Sequence, residues 1–430
     1  MLQVKIPYAK EYWEVNLPDI DQIDIINPTY PDSARNEEIL VWKALGHPIE
    51  KTPLTRLVNQ DSKVAIIVDD VTRPTPTKKL LPPLMEALHK SRVKKENITI
   101  IFARGTHRRL TEDEEKKLVG PEMWHQYRVV QHDFENEATL VPIKDSSGKS
   151  QIKVNKWAAE ADLRILTGFI KPHIIAGYSG GAKSILPGIA GLDFIRSNHS
   201  YRFLSHPSCN VGAIADSPAR QDMERKARCL EPIFILNVVL NQKNEIVQAV
   251  AGDLVAAHRK GVEIFNGMAK VEVESAADVV IVCCPNPTDL NLYQACFGAA
   301  VAIRTERPIL RRGGVVVLVA HCPEGLGEGG FPELITTYNQ PQELLRALAK
   351  PGFFELGQWG AQLWADILNF ASVIMVSDGG IPKDYYRSSP MRHASSVEQA
   401  WEQAKKILNK KKIHGYILPQ APFTFPILSS

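Results

Sequence analysis

The stretch HIIAGYSGGAKSILPG, residues 173 to 188, sets a lysine and a serine behind paired glycines, with a histidine at its head. Gly177, Gly180 and Gly181 permit close backbone approach to a ligand, and a helix after Lys183 would offer N–H groups to a phosphate. The spacing departs from G-x-x-x-x-G-K-[ST], which argues against a nucleoside triphosphatase. Taken alone, the stretch reads as a glycine turn carrying a solvated lysine. Three other stretches add reactive groups. DDVTRPTP (69–76) places Asp70 and Arg73 three apart in a turn, a pair that by itself reads as a salt bridge across that turn. ARGTHRRLTEDE (103–114) brings His107 ahead of a threonine N-cap and its acids, and RSNHSYRF carries His199. Histidine exchanges protons near neutral pH, lysine and arginine handle anions, and imidazole also serves as a metal donor. No His-x-x-x-His or His-x-His spacing is present, so a metal would need a donor from elsewhere.

These groups need elements to bring them together. KVAIIVDD (63–70), NITIIFARGTH (97–107) and LRILTGFI (163–170) read as buried strands, with a helical KKLLPPLMEALHKS between the first two. That alternation predicts parallel strands with helices on their faces. Asp69, Asp70, Arg73, His107 and His173 all fall just past strand ends, where parallel sheets collect ligands. Two histidines there, a third near a glycine loop, a lysine and an arginine form a set able to converge on one cleft. A long helical segment containing AGDLVAAHRKGVEIF ends near Met268, and the pattern then restarts. DVVIVCC (278–284), LNLYQACFGAAVAIRT, GGVVVLVAHC (313–322), PQELLRALAK, SVIMVSDGG and SVEQAWEQAKKIL form a second α/β set. The expected fold class is therefore α/β, with a boundary near residue 272: an N-terminal domain over 1–271 carrying Lys183, His107, His173 and His199, and a C-terminal domain over 272–430. The proline-rich, apolar tail HGYILPQAPFTFPILSS is expected to pack back on the body.

The totals exclude several classes. A chain of 430 residues exceeds the size of one growing hydrophobic core. Its formal charge of +3, with no basic block, gives nucleic-acid binding no support. No apolar run approaches the ~18 residues of a membrane span, and the amphipathic N-terminus lacks the apolar core of a secretory signal. The six cysteines are scattered and form no CxxC pair, so neither a zinc knuckle nor a disulfide framework is expected, and a reducing cytoplasm is.

The motifs together resemble the lactate racemase family. The resemblance runs in order through DDVTRPTP, ARGTHR, KPHIIAGYSGGAKSILPG, the NHS around His199, SPARQDMER, AGDLVAAHRKG, LYQ at 292–294 and QW at 358–359. It implies a nickel-pincer nucleotide (pyridinium-3,5-bisthiocarboxylic acid mononucleotide nickel) held as a thioamide on Lys183, with Gly180 and Gly181 allowing its approach. It further implies His199 as the protein ligand to nickel, a sensible partner for soft sulfur donors in a square plane. His107 and His173 are implied as paired acid–base residues. Asp70 and Arg73 match a turn that contacts cofactor and substrate. Tyr293, Gln294 and Trp359 match positions that line an inter-domain active-site cleft from the second domain.

The implied reaction inverts the α-carbon of a 2-hydroxy acid through a 2-oxo acid, by hydride transfer to the pincer ring. Taking the α-hydrogen as a proton would leave a poorly stabilised dianion, whereas hydride loss leaves a neutral ketone. The hydroxyl proton leaves with it, so a base is needed, and two enantiomers call for bases on two sides. Arg73 would grip the substrate carboxylate with its planar fork. One departure stands out. Where lactate-active members carry a lysine three residues beyond the Gln of LYQ, this chain has Phe297, which points to a bulkier or more apolar 2-hydroxy acid. The implied partners are that small acid and, transiently, the enzymes that make the cofactor; no oligomeric state follows. The competing readings are a nucleotide-binding oxidoreductase or phosphotransferase using the 177–184 glycine loop, and a binding protein without turnover. The first lacks a G-x-G-x-x-G after its first strand, and joint retention of Lys183, His107, His173 and His199 argues against the second.

Overall fold

The computed structural model describes residues 2–17, 22–33, 36–144, 148, 151–327 and 329–429. The chain divides into two compact units, each built on its own six-stranded sheet. The first comprises Tyr30–His199 and Ile214–Met268. Its sheet runs in the order Ile246–Gly252, Ile233–Leu240, Leu163–Phe169, Val64–Asp69, Ile98–Ala103, Arg128–Gln131. All neighbours are parallel except the pair formed by Ile246–Gly252 and Ile233–Leu240. The central strands are mostly apolar and buried on both faces, as parallel strands covered by helices must be. Thr99, Arg164, Thr167 and Asn237 are the polar residues within them, all buried. Asp69 is the last residue of its strand, Ala103 the last of the next, and Phe169 the last of the third.

The second unit comprises Met1–Thr29, Ser200–Ala213 and Ala269–Ser430. Its sheet, parallel throughout, has the order Arg392–Ala394, Ser372–Val376, Leu310–Val319, Ala277–Cys283, His414–Leu418, Gln22–Ile25. The simple division at residue 272 expected from the periodicity differs from this arrangement. Gln22–Ile25 adds to the sheet edge beside His414–Leu418, and the hairpin of Leu2–Tyr8 and Glu11–Leu17 buries Val4, Ile6, Val15 and Leu17 against the same core. An edge strand and a hairpin far from the rest of the unit in sequence leave no periodic signal of their membership. The tail does pack back: Phe425–Leu428 pairs in parallel with Lys270–Val273.

Candidate active site

The turn after Val64–Asp69 is organised by its two acids. Asp69 Oδ2 accepts from Thr75 Oγ1 at 2.5 Å. Asp70 Oδ1 accepts from the Thr72 backbone N–H at 3.0 Å and from Thr72 Oγ1 at 2.5 Å, closing an Asx turn. Its second oxygen faces His107 Nδ1 at 2.6 Å. Asp70 thus turns to His107, and not to Arg73 as the spacing alone suggested. Arg73 donates instead to the Thr72 carbonyl and hydroxyl, at 3.2 and 3.0 Å. Burial acting alone would raise the Asp70 carboxyl, but His107, Arg73 and the Thr72 hydrogen bond outweigh it and hold the group well below the usual carboxylate range. Asp69, by contrast, is pushed up, by burial first and also by the neighbouring Asp70.

A carboxylate only accepts, so His107 carries its hydrogen on Nδ1 and leaves the Nε2 lone pair open. Its main chain is pinned: the His107 N–H donates to the Arg104 carbonyl at 2.9 Å, and the buried Arg104 guanidinium donates back to the His107 carbonyl. Gly105, at φ 53°, donates to the Gly188 carbonyl at 3.0 Å, tying this turn to the end of the glycine stretch.

His173 lies on the two-residue strand Pro172–His173, opposite Gly177 of Gly177–Tyr178. Its Nδ1 accepts the backbone N–H groups of Ile175 and Ala176, at 3.2 and 3.3 Å. The lone pair is therefore on Nδ1 and the hydrogen on Nε2, the opposite tautomer to His107. Burial, reinforced by Lys183, Arg73 and His199, holds its pKa well below the ordinary histidine value.

Past Tyr178 the chain passes through Gly180, at φ 76° and ψ −177°, and enters a single 3₁₀ turn, Gly181–Ser184. A Cβ on Gly180 would sit 2.7 Å from Asn237 Oδ1, and that oxygen accepts the Gly181 N–H at 2.8 Å. The α-helix expected after Lys183 is absent. Continuing one would require residue 187 to donate to the Lys183 carbonyl, and Pro187 has no N–H; Gly188 donates there instead, at 3.2 Å. This removes the helix N-terminus on which the nucleotide-binding alternative depended. Lys183 is partly buried, and its amine carries a pKa pulled down to about 7. Burial is the largest cause, Arg73 and Arg220 push the same way, and Asp69 and Asp70 oppose them. His199 closes the helix Leu192–Asn198, is buried, and has its pKa lowered to about 3 by burial and by Lys183. Asp70, Arg73, His107, His173, Lys183 and His199 thus act on one another within one unit. Among the described residues no three His, Cys, Asp or Glu side chains gather into a metal cage, and no helix is long and apolar enough to cross a membrane.

In the second unit, Asn291 caps the helix Leu292–Ile303 by accepting the Gln294 N–H at 2.9 Å. Trp359 Nε1 donates to the Tyr293 hydroxyl at 2.8 Å. The Tyr293 ring meets Phe297 edge-on at 5.1 Å and Phe331 at 5.3 Å. Gln294 and Phe297 are three apart on one helix face, and both are partly exposed while their neighbours are buried.

Residues 8–212 match the lactate racemase N-terminal domain, and residues 272–420 the lactate racemase C-terminal domain. A lactate racemase of Thermoanaerobacterium thermosaccharolyticum is 34% identical over 414 residues, covering 95% of this chain and 96% of the relative. The chain belongs to the lactate racemase family. A second relative, the lactate racemase of Lactiplantibacillus plantarum, is 33% identical over 412 residues, covering 94% of this chain and 95% of its own. The structure of the lactate racemase apoprotein from T. thermosaccharolyticum superposes with a TM-score of 0.91 at 33% identity, covering both chains fully. A Thermotoga maritima protein of known structure shares the fold at a TM-score of 0.67 and 19% identity, over 91% of this chain and 98% of that one. As a lactate racemase family member the protein is an isomerase, of the racemase class.

Several residues that shape the site carried no role in the sequence reading: Thr72, Thr75, Asn237, Arg220 and His258. The last two sit in SPARQDMER and AGDLVAAHRKG, so a signal was present, but only packing shows what they touch.

Proposed function

We propose that this chain racemises or epimerises a 2-hydroxy acid at its α-carbon, using a nickel-pincer nucleotide attached to Lys183. The observation that carries the reading is the partly buried Lys183, which follows the glycine turn and feels the charges of Arg73, Asp69 and Asp70, with its pKa near 7. An amine so placed is about half uncharged at neutral pH and suits acylation, where an ordinary lysine would be almost wholly a solvated cation. The remaining residues fit the group as well. Gly180 and Gly181 leave the turn without side chains, and a Cβ on either would collide with Asn237 or His258 packed beneath it. His199 is buried and neutral, the state in which imidazole binds a metal, and as the one protein donor it would leave the other positions to the pincer.

When bound, the group supplies an electrophilic carbon able to take up the α-hydrogen and return it. The protein residues do the rest. His107, with Nδ1–H held by Asp70, presents Nε2 to accept the substrate hydroxyl proton. His173, with hydrogen on Nε2, is placed to donate to the substrate oxygen. Arg73 pairs with the substrate carboxylate. Gln294 and Trp359 contribute substrate contacts, and Tyr293, held by Trp359, belongs to the same set. Phe297, a partly exposed ring where a cation would serve a small polar acid, favours a 2-hydroxy acid with a larger apolar substituent over lactate. The cofactor-making enzymes are transient partners, and a reducing cytoplasm suits six free thiols.

The test is intact-mass and nickel analysis of protein made in a host that synthesises the pincer nucleotide, with a chiral assay over lactate and aromatic 2-hydroxy acids. Added mass on Lys183, bound nickel and interconversion of enantiomers are expected, and Lys183→Ala should abolish all three. Turnover that survives Lys183→Ala would overturn the assignment.

A further inference from the structure

Beneath the glycine stretch lies a buried charged cluster that touches none of the reacting groups. Arg220 belongs to the helix Pro218–Ala227, whose cap Ser217 accepts the Arg220 N–H. The Arg220 side chain is fully buried. Its Nη1 donates to the carbonyls of Tyr178 and Gly180, at 3.3 and 3.4 Å. Between them, the Ser179 carbonyl accepts from His258 Nε2 at 2.8 Å. Three successive carbonyls of the stretch therefore turn to one side and end on two side chains. His258, with its hydrogen on Nε2, accepts on Nδ1 from Arg220 Nη2 at 2.8 Å. Arg220 Nε donates to Glu224 at 2.6 Å, and Arg259 grips both Glu224 oxygens at 2.8 Å each.

We infer that Arg220 is a positioning residue for Lys183, holding the 178–181 backbone in the one conformation that presents the lysine amine to the pincer carboxyl. The inference rests on the reading of Lys183 as the attachment point. Gly180 adopts a backbone conformation open essentially to glycine alone, and such a turn persists only when its surroundings over-determine it. Arg220 and His258 below, and Asn237 on the Gly181 N–H, supply that determination. The same packing explains Gly181: a Cβ there would lie 2.9 Å from His258 Cδ2 and 3.1 Å from Arg220 Nη2. A planar guanidinium serves two carbonyls, a carboxylate and an imidazole at once, which an ammonium on a flexible stem cannot do.

Arg220→Met tests this without leaving a bare carboxylate, because Arg259 still pairs with Glu224. His258→Ala is the companion variant should Arg220→Met fold poorly; it frees the Ser179 carbonyl and leaves the Arg220–Glu224 pair in place. Two measurements are needed. In apoprotein, acetic anhydride labelling of Lys183 across pH 6 to 10, read by peptide mass spectrometry, should fall at least tenfold at pH 8 in Arg220→Met and shift its midpoint upward. In pincer-loaded protein, kcat per bound nickel should fall roughly a hundredfold with KM changed less than threefold, and Arg220→Lys should restore only part of it. Folded variants with wild-type labelling and wild-type kcat would overturn the inference. If the wild type gains no adduct on Lys183, the proposed function fails while the labelling arm still decides what Arg220 does to that amine.

Discussion

His107 and His173 are the same residue type, each a few residues past a strand of one sheet, yet their surroundings are opposed. His107 has a carboxylate against Nδ1, and His173 has two backbone N–H groups there. An acceptor at Nδ1 forces the hydrogen onto that nitrogen, and donors at Nδ1 force it onto the other. One ring therefore offers a lone pair at Nε2 and the other a hydrogen. A racemase treating two mirror-image substrates invites a picture of two interchangeable bases; the hydrogen bonds describe a base and a donor.

That contrast can be broken by mutation, and the largest effect is expected at His107. His107→Gln should lower kcat/KM by about 10³-fold, in the range for loss of a general base. Interconversion of enantiomers has an equilibrium constant of one, so kcat/KM must fall equally from either side. The asymmetry between the histidines will show in kcat and KM taken singly, measured from each pure enantiomer. Asp70→Asn should follow at about 10²-fold, because the amide can present its NH₂ to Nδ1 and draw the ring into the wrong tautomer. His173→Gln keeps an N–H donor near the same place and should lose only about tenfold. A loss from His173→Gln as deep as that from His107→Gln would restore the symmetric pair and sink the distinction drawn here.

The smallest effect concerns stability. His173 is held neutral in the fold, its pKa well below 6.5 through burial first and then Lys183 and Arg73, and burial lowers His132 to about 4. Unfolded histidines titrate near ~6.5, so below that pH the unfolded chain takes up protons the folded chain refuses, and stability declines as pH falls. The melting temperature of the apoprotein should drop by roughly 3–6 °C from pH 7 to pH 5, and His173→Gln should flatten that slope. An unchanged slope would mean that the ring is charged in the folded protein.

The strands and the reactive groups at their ends were legible because both follow from short-range pattern. Val64–Asp69, Ile98–Ala103 and Leu163–Phe169 are apolar runs stopped by polar turns, and Asp70, Arg73, His107, His173 and Lys183 follow those stops. What each group faces was not legible. The Asp70–His107 pair spans 37 residues, and no spacing rule chooses His107 over the nearer Arg73. The role of Arg220 was hidden for the same reason, since its partners include Tyr178, Gly180 and His258, 40 or so positions to either side. Pro187 was visible, but its effect on the Lys183 carbonyl emerges only once the turn is built. Residues 1–29 read as part of the N-terminal domain because a lone edge strand finds its neighbour only in three dimensions.

The pairing of Gln22–Ile25 with His414–Leu418 has a consequence for biosynthesis. Some 390 residues separate the partners, so the edge strand and its hairpin leave the ribosome early and wait, at ~5–20 residues per second, for tens of seconds. The six-stranded sheet whose strand ends lead to Lys183 and both histidines is complete once residue 252 has emerged. The half of the molecule that holds the reactive groups is thus free to mature on the nascent chain, while the other half can close its sheet only near the end of translation.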